Sequence, residues 1–124
     1  MNLVDSSGWL EYFGSGKNAH FFAPALRETD ALVVPNLCIY EVFKRILAQR
    51  GEEDALQAIG IMSLGTVADV TREIAVDAAA ISHTRNLAMA DSIILATARA
   101  HDATLWTQEA NFSELEGVRY IKKI

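Results

Sequence analysis

The 124 residues of the chain suffice for one ordinary domain with a single hydrophobic core and are too few for two. Just over half of the residues are apolar, and only seven are glycine and two proline, which is typical of compact globular proteins rather than disordered or fibrous ones. The formal net charge of −5 argues against a nucleic-acid partner unless several acidic side chains bind metal ions, so charge alone does not decide that question.

The cysteine content and the absence of long apolar segments restrict the class of protein further. Cys38 is the only cysteine, which excludes an internal disulfide and a thiolate zinc cluster. The amino terminus has neither the basic residues nor the apolar stretch of a signal peptide. The longest segment without a charged residue, 55–68, is shorter than the roughly 20 residues that a membrane helix requires. We therefore expect a soluble protein of the cytoplasm, without a membrane partner.

The hydrophobic pattern and the helix start and stop signals predict short strands that alternate with helices. In chain order, strands are predicted at 3–4, 32–34, about 67–70, 104–106 and 119–121. Helices are predicted from Ser6 and Ser7 to 13, over 19–27, from the cap Asn36 to 49, and over 52–63, 72–83 and 89–101, the last of them buried. Strands separated by helices imply an α/β fold over residues 1–124, with a mainly parallel sheet of four to five strands and helices on both faces.

Two acidic residues follow predicted strands, where parallel α/β sheets form their binding sites. Asp5 directly follows the first strand, and the alternative interpretation is an N-cap for the next helix. Thr107, Glu109 and Asn111 follow the strand at 104–106 and offer a hydroxyl, a carboxylate and an amide. An ordinary surface turn can have the same composition.

Two further acids, Glu41 and Asp91, lie beside apolar faces of predicted helices. The alternative for Glu41 is a helix salt bridge with Lys44 or Arg45, and for Asp91 a favourable interaction with the helix dipole. Asp91 is harder to dismiss because an ionised carboxylate is rarely buried without a partner. The inward face predicted for the helix of Glu41 comprises Ile39, Val42, Phe43, Ile46 and Leu47.

A meeting of these acids would have a chemical consequence. Two unit charges about 4 Å apart repel by roughly 4 kcal/mol at an effective dielectric constant near 20. A cluster of three or four carboxylates therefore either takes up protons or binds a cation. Oxygen ligands without a cysteine or histidine cluster favour Mg²⁺ or Mn²⁺ over zinc.

The same positions resemble the motifs of the PIN-domain family, in particular its VapC branch of toxins. The start Leu3-Val4-Asp5-Ser6-Ser7 is similar to the family's strand followed by Asp-Ser/Thr-Ser, and Glu41 is similar to its helical glutamate. The segment 89–98 closely resembles the third acidic motif. Residues 103–107 followed by Phe112 resemble the last strand and its Thr-x-Asp-x-x-Phe turn. The similarity extends over essentially the whole chain.

The resemblance implies a PIN-like fold and a ribonuclease that hydrolyses RNA phosphodiester bonds with water activated by Mg²⁺ or Mn²⁺. The catalytic and metal-binding residues that it implies are Asp5, Glu41, Asp91 and Glu109, with supporting roles for Ser6, Thr107 and Asn111. It also implies a homodimer and a VapB-like antitoxin that covers the active site. The family usually has Asp at the position of Glu109 and often an acid at that of Asn111, so the fourth ligand and a second metal position stay open.

Other classes of protein fit these motifs less well. A receiver domain requires an acidic pair after the first strand, and a haloacid-dehalogenase-type phosphatase requires Asp-x-Asp, whereas position 7 is Ser. The remaining alternatives are a PIN nuclease that processes RNA without being a toxin, and a PIN-like binding module that has lost catalysis. Candidates for contacts with RNA phosphates, with solvated helix faces as the alternative, are Lys44, Arg45, Arg85 and Arg99.

Overall fold

A computed structural model describes all 124 residues of the chain. The strands are β1 (Asn2–Val4), β2 (Leu32–Pro35), β3 (Thr66–Ala68), β4 (Thr104–Thr107) and β5 (Val118–Tyr120). The helices are α1 (Ser6–Phe13), α2 (Ala19–Arg27), α3 (Asn36–Arg50), α4 (Glu52–Met62), α5 (Arg72–Arg85) and α6 (Met89–Ala100), with 3-10 turns at Thr29–Ala31 and Ala110–Phe112. The predicted alternation of strands and helices is confirmed, and Gly14, Gly51, Gly65 and Gly117 lie between successive elements.

All five strands pair in parallel, in the order β3-β2-β1-β4-β5. The chain adds β2 and β3 on one side of β1 and then returns to add β4 and β5 on the other. Val4 lies opposite Trp106, so Asp5 and Thr107 come next to each other at the carboxyl ends of β1 and β4. In open parallel sheets this point of reversal is where ligands bind.

The core lies on both faces of the sheet. β2 is apolar throughout and β1 is apolar after Asn2, and Leu3, Val4, Val33 and Val34 are completely buried, as expected for strands covered on both sides. Gly8 brings α1 close to the sheet, because a Cβ atom at this position would lie 2.5 Å from Val4 Cγ1. No helix has both the length and the apolar character to cross a membrane.

Three local predictions were wrong. Helix α1 is capped by the side chain of Asp5, and neither Ser6 nor Ser7 takes that role. The residue before α3 is Pro35 in an extended conformation, so Asn36 is the first helical residue and its amide donates to Asp69 instead. Leu47 is 42% exposed, because the buried face of α3 follows the spacing of four residues through Cys38, Val42 and Ile46 and does not reach position 47.

Candidate active site

The carboxylate of Asp5 is the most buried acidic group at the reversal point, with 3% of the residue exposed. Its Oδ1 accepts hydrogen bonds from Ser7 Oγ at 2.8 Å and from the Gly8 N–H at 2.9 Å, and its Oδ2 accepts one from Thr107 Oγ1 at 2.6 Å. Burial raises the pKa of Asp5 to about 6, with a smaller contribution from the charge of Glu109 and against the opposing effect of these hydrogen bonds. The N-cap interpretation of Asp5 is confirmed, and the same residue lies where the site was predicted.

Ser6 holds Glu41, the glutamate on α3, toward the position of Asp5. Ser6 Oγ donates to Glu41 Oε1 at 2.6 Å, and Ser6 directly follows Asp5 in the chain. The alternative salt bridge from Glu41 to Lys44 or Arg45 is not formed. The half-buried carboxylate of Glu41 is therefore held toward the end of β1 rather than toward its own helix.

The turn after β4 brings Glu109 to the same edge. The Glu109 N–H donates to Thr107 Oγ1 at 2.9 Å, and this hydroxyl in turn donates to Asp5. The carboxylate of Glu109 is half-buried, and its Oε1 accepts a hydrogen bond from Lys123 Nζ at 2.9 Å. Thr107 thus connects the two acids that follow strands.

Asp91 is joined to this turn by an amide. Asn111 Nδ2 donates to Asp91 Oδ2 at 2.7 Å, from the 3-10 turn that follows Glu109. Asp91 lies in the first turn of α6 and is half-buried, where its charge also interacts favourably with the helix dipole. Asn111 therefore orients an acid in this structure rather than replacing one.

The donor set is suited to a hard divalent ion, but it is not assembled around one. The four carboxylates are oxygen donors, and in Glu41, Asp91 and Glu109 only one of the two oxygens accepts a hydrogen bond from the protein. No three acidic, histidine or cysteine side chains lie close enough together to hold a metal ion. Binding therefore requires the half-buried carboxylates to turn toward Asp5.

Two buried amides that sequence reasoning missed fix the elements around the site. Asn18 is 1% exposed, and its Nδ2 donates at 3.0 Å both to Gln108 Oε1 and to the carbonyl of Lys122. Gln108 Nε2 donates to the Ser7 carbonyl at 3.4 Å. These bonds tie the starts of α1 and α2, the end of β4 and the carboxyl-terminal segment together. Gln108 stands between two predicted site residues and could have been suspected, whereas the position of Asn18 in a loop gives no such signal.

Two adjoining cavities open beside Glu41 and Glu109, between α1 and α3. The first, of about 430 Å³, is lined by Ser6, Ser7, Leu10, Tyr40, Glu41, Lys44, Arg45, Ala48 and Glu109. The second, of about 350 Å³, shares Ser7, Leu10, Arg45 and Glu109 with it and adds Arg50 and Lys123 as further cations. Of the four basic residues predicted to contact RNA, Lys44 and Arg45 lie here and Arg85 and Arg99 do not. Although the net charge of the chain is negative, four cationic side chains line the cavities beside the candidate site.

Solved structures share this fold. The chain is similar to a toxin-antitoxin complex from Klebsiella pneumoniae, with 22% identity, a TM-score of 0.81 and 96% of both chains covered. It is similar to the Sarcin-Ricin loop cleaving toxin VapC20 of Mycobacterium tuberculosis, with 19% identity, a TM-score of 0.75, and 94% and 95% of the two chains covered. VapBC2 from Rickettsia felis, bound to a DNA fragment from its promoter, is 12% identical with a TM-score of 0.73, over 98% of this chain and 97% of that one.

The family of the chain is identified from its sequence. No curated protein sequence matches the chain. The model of the PIN domain family matches residues 3–118, which include all four predicted acids. The motif resemblance found in the sequence is confirmed by this match. The chain belongs to the PIN domain family.

Proposed function

We propose that the chain is a ribonuclease that hydrolyses RNA phosphodiester bonds with water activated by Mg²⁺, or by Mn²⁺. The ligands would be Asp5, Glu41, Asp91 and Glu109. The observation that carries the proposal is the buried carboxylate of Asp5 at the reversal point of the sheet, with Glu41 and Glu109 brought beside it through Ser6 and Thr107. Membership of the PIN domain family supports the same assignment.

The state of Asp5 favours cation binding over a purely structural role. Three hydrogen bonds do not offset the cost of burying its charge, since its pKa remains raised to about 6. Oδ2 accepts one hydrogen bond, from Thr107, and so keeps a lone pair for a further ligand. A cation at this oxygen would favour the ionised carboxylate, so metal binding should release protons near pH 6.

The neighbouring polar groups would act by holding carboxylates in place. Thr107 fixes Asp5, Ser6 directs Glu41, and Asn111 directs Asp91. A bound divalent ion would supply water of lowered pKa and positive charge against the phosphoryl oxygens. No side chain need form a bond to the phosphorus atom.

The physiological role that we propose is that of the toxin in a VapBC-like toxin–antitoxin pair. The fold is shared with a toxin-antitoxin complex and with the toxin VapC20, over nearly the full length of each chain. We propose further that the chain forms a homodimer, acts in the cytoplasm and is inhibited by a VapB-like antitoxin. The open cavities between α1 and α3 give such a partner access to Glu41 and Glu109.

A binding module without catalysis is the second candidate. It is favoured by the lack of an assembled set of metal ligands and by the pairing of Glu109 with Lys123. Such a module would bind RNA or a partner protein without cleaving RNA, whether divalent ions are present or absent. A nuclease would instead lose its activity when the ions are chelated.

The test is cleavage of bacterial total RNA by the purified protein in millimolar Mg²⁺, in Mn²⁺ and in EDTA. We expect cleavage with either metal and none in EDTA. Asp91→Asn should abolish cleavage, and Asp77→Asn, an exposed acid on α5, is the matched control and should leave the rate unchanged. Cleavage in EDTA, or a wild-type rate in Asp91→Asn, would refute the assignment of the metal site.

A further inference from the structure

An exposed aromatic ring lies beside the acids and is not explained by the core. Tyr40 is 60% exposed on α3, although it directly precedes Glu41. It lines the 430 Å³ cavity together with Glu41 and Glu109, so the ring and both carboxylates face the same space. Leaving this much aromatic surface in water costs free energy that a ligand could recover.

Two cationic side chains line the same cavity as the ring. Lys44, one helical turn further along α3, places its Nζ 5.7 Å from the centre of the Tyr40 ring, within the range of a cation–π contact. Arg45 lines this cavity and the adjoining one. Neither Lys44 nor Arg45 is paired with a carboxylate, so their charges remain available for an anionic ligand.

An exposed ring can stack on a base, and unpaired cations can bind phosphates, so these groups together suit a single-stranded nucleic acid. We propose that Tyr40 is the stacking platform for an unpaired base of the RNA substrate, next to the phosphate that is cleaved, while Lys44 and Arg45 bind the flanking backbone phosphates. This inference rests on the proposed ribonuclease function and adds to it the side chains that hold the RNA strand. In a duplex the bases are stacked on each other and are not free to lie on a side chain.

The first experiment measures the affinity for a labelled 12-nucleotide RNA of mixed sequence in EDTA, because the proposed nuclease does not cleave RNA without a divalent ion. Loss of a stacking partner weakens single-strand binding by about fivefold to a hundredfold, and we expect roughly tenfold for Tyr40→Ala. Tyr40→Phe keeps the ring and should bind within about twofold of the wild type. Leu47→Ala removes an exposed apolar side chain from the same helix outside the cavity, and it should also bind as the wild type does.

Salt dependence separates stacking from charge. Each phosphate contact on a single strand contributes about 0.7 to the slope of log affinity against log salt concentration. Tyr40→Ala should therefore weaken binding with the slope unchanged, whereas Lys44→Gln should reduce the slope by about this amount. A reduced slope in Tyr40→Ala would mean that the ring acts by placing Lys44, and the stacking role would be overturned.

The remaining outcomes are equally decisive. Wild-type affinity in Tyr40→Ala, or an equal loss for a blunt RNA duplex, would overturn the inference while leaving the ribonuclease assignment intact. A change in oligomeric state of Tyr40→Ala, measured by light scattering, would show that the ring contacts a second subunit and would also overturn it. If the wild-type protein neither binds nor cleaves RNA, the proposed function itself fails. Because Tyr40 is exposed, thermal unfolding should show the variant folded.

Discussion

The candidate site has two halves that are held differently, one buried carboxylate and three half-buried ones. Asp5 is buried and accepts three hydrogen bonds, one of them from a backbone N–H, so its position is set by the fold; we call it the fixed carboxylate. Glu41, Asp91 and Glu109 are half-buried and accept one side-chain hydrogen bond each; we call them the adjustable carboxylates. A site of this kind provides one ligand in advance and lets the others respond to the ion that binds.

The difference follows from where each residue lies. The fixed carboxylate stands between a central strand and the first turn of α1, where the backbone of both elements determines its surroundings. The adjustable carboxylates extend from α3, α6 and a surface turn, so their side chains can rotate without disturbing the core. Changes to the fixed carboxylate should therefore alter stability and activity together, whereas changes to the adjustable ones should alter activity alone.

The largest expected effect is the loss of cleavage on removal of a ligand charge from either half. Asp5→Asn and Asp91→Asn should each reduce the rate by well over the roughly hundredfold that loss of an outer partner of a metal site costs. The two variants should differ in stability, because only Asp5 carries the cost of a buried charge. Cleavage rates and urea unfolding at pH 7, with Asp77→Asn as the control, measure both effects. Equal unfolding free energies for the two variants would contradict the distinction between the halves.

The second prediction concerns the pH dependence of stability. The pKa of Asp5 is raised from 3.8 to about 6 in the folded protein, so the folded state binds the proton more tightly and stability falls as the pH rises between these values. The full difference corresponds to roughly 3 kcal/mol. Asp5→Asn keeps the N-cap, since Asn serves as well as Asp there, and should lack this decrease.

Urea unfolding of the wild type and of Asp5→Asn at pH 4 and pH 7, without divalent ions, measures what Asp5 contributes to the free energy of unfolding. The free energy of unfolding of the wild type relative to Asp5→Asn should be lower at pH 7 than at pH 4 by a few kcal/mol. Addition of Mg²⁺ at pH 7 should restore part of it if the ion binds Asp5. The same pH dependence in both proteins would show that burial of Asp5 is compensated by other groups.

The contrast between the halves also explains how much the sequence could predict. The ends of β1 and β4 are marked by apolar runs followed by polar residues, so the places of Asp5 and Glu109 follow from local patterns. The approach of Glu41 to Asp5 through Ser6 depends on how α3 packs against α1, and no local pattern contains that information. Lys123 reaches Glu109 because Asn18 holds the carbonyl of Lys122, a contact between residues 104 positions apart.

The third prediction tests the hydroxyl that fixes Asp5. Thr107→Val has nearly the same volume but cannot donate to Asp5 Oδ2, so it leaves a buried acceptor without this partner at a cost of about 1–3 kcal/mol. Loss of an outer partner should also reduce metal affinity or activity by about tenfold to a hundredfold. Thr107→Ser retains the hydroxyl and is the matched control. If both variants lose the same stability, the methyl group rather than the hydrogen bond of Thr107 is what matters.

The smallest expected effect concerns Lys123, which is bound to one of the adjustable carboxylates. The Lys123–Glu109 pair lies at the surface, with 58% and 37% of the two side chains accessible, so the pair itself contributes about 0.2–1 kcal/mol. Because its ammonium group occupies Glu109 Oε1 and repels a second cation, Lys123→Gln should bind Mg²⁺ about twofold to fivefold more tightly. The readout is the increase in unfolding free energy with metal concentration, which requires no RNA cleavage.

Lys122→Gln removes the same charge next to it without touching Glu109 and should have the smaller effect. Weaker binding by Lys123→Gln would mean that Lys123 holds Glu109 in the position that the ion requires, and Glu109 would then belong with the fixed half of the site.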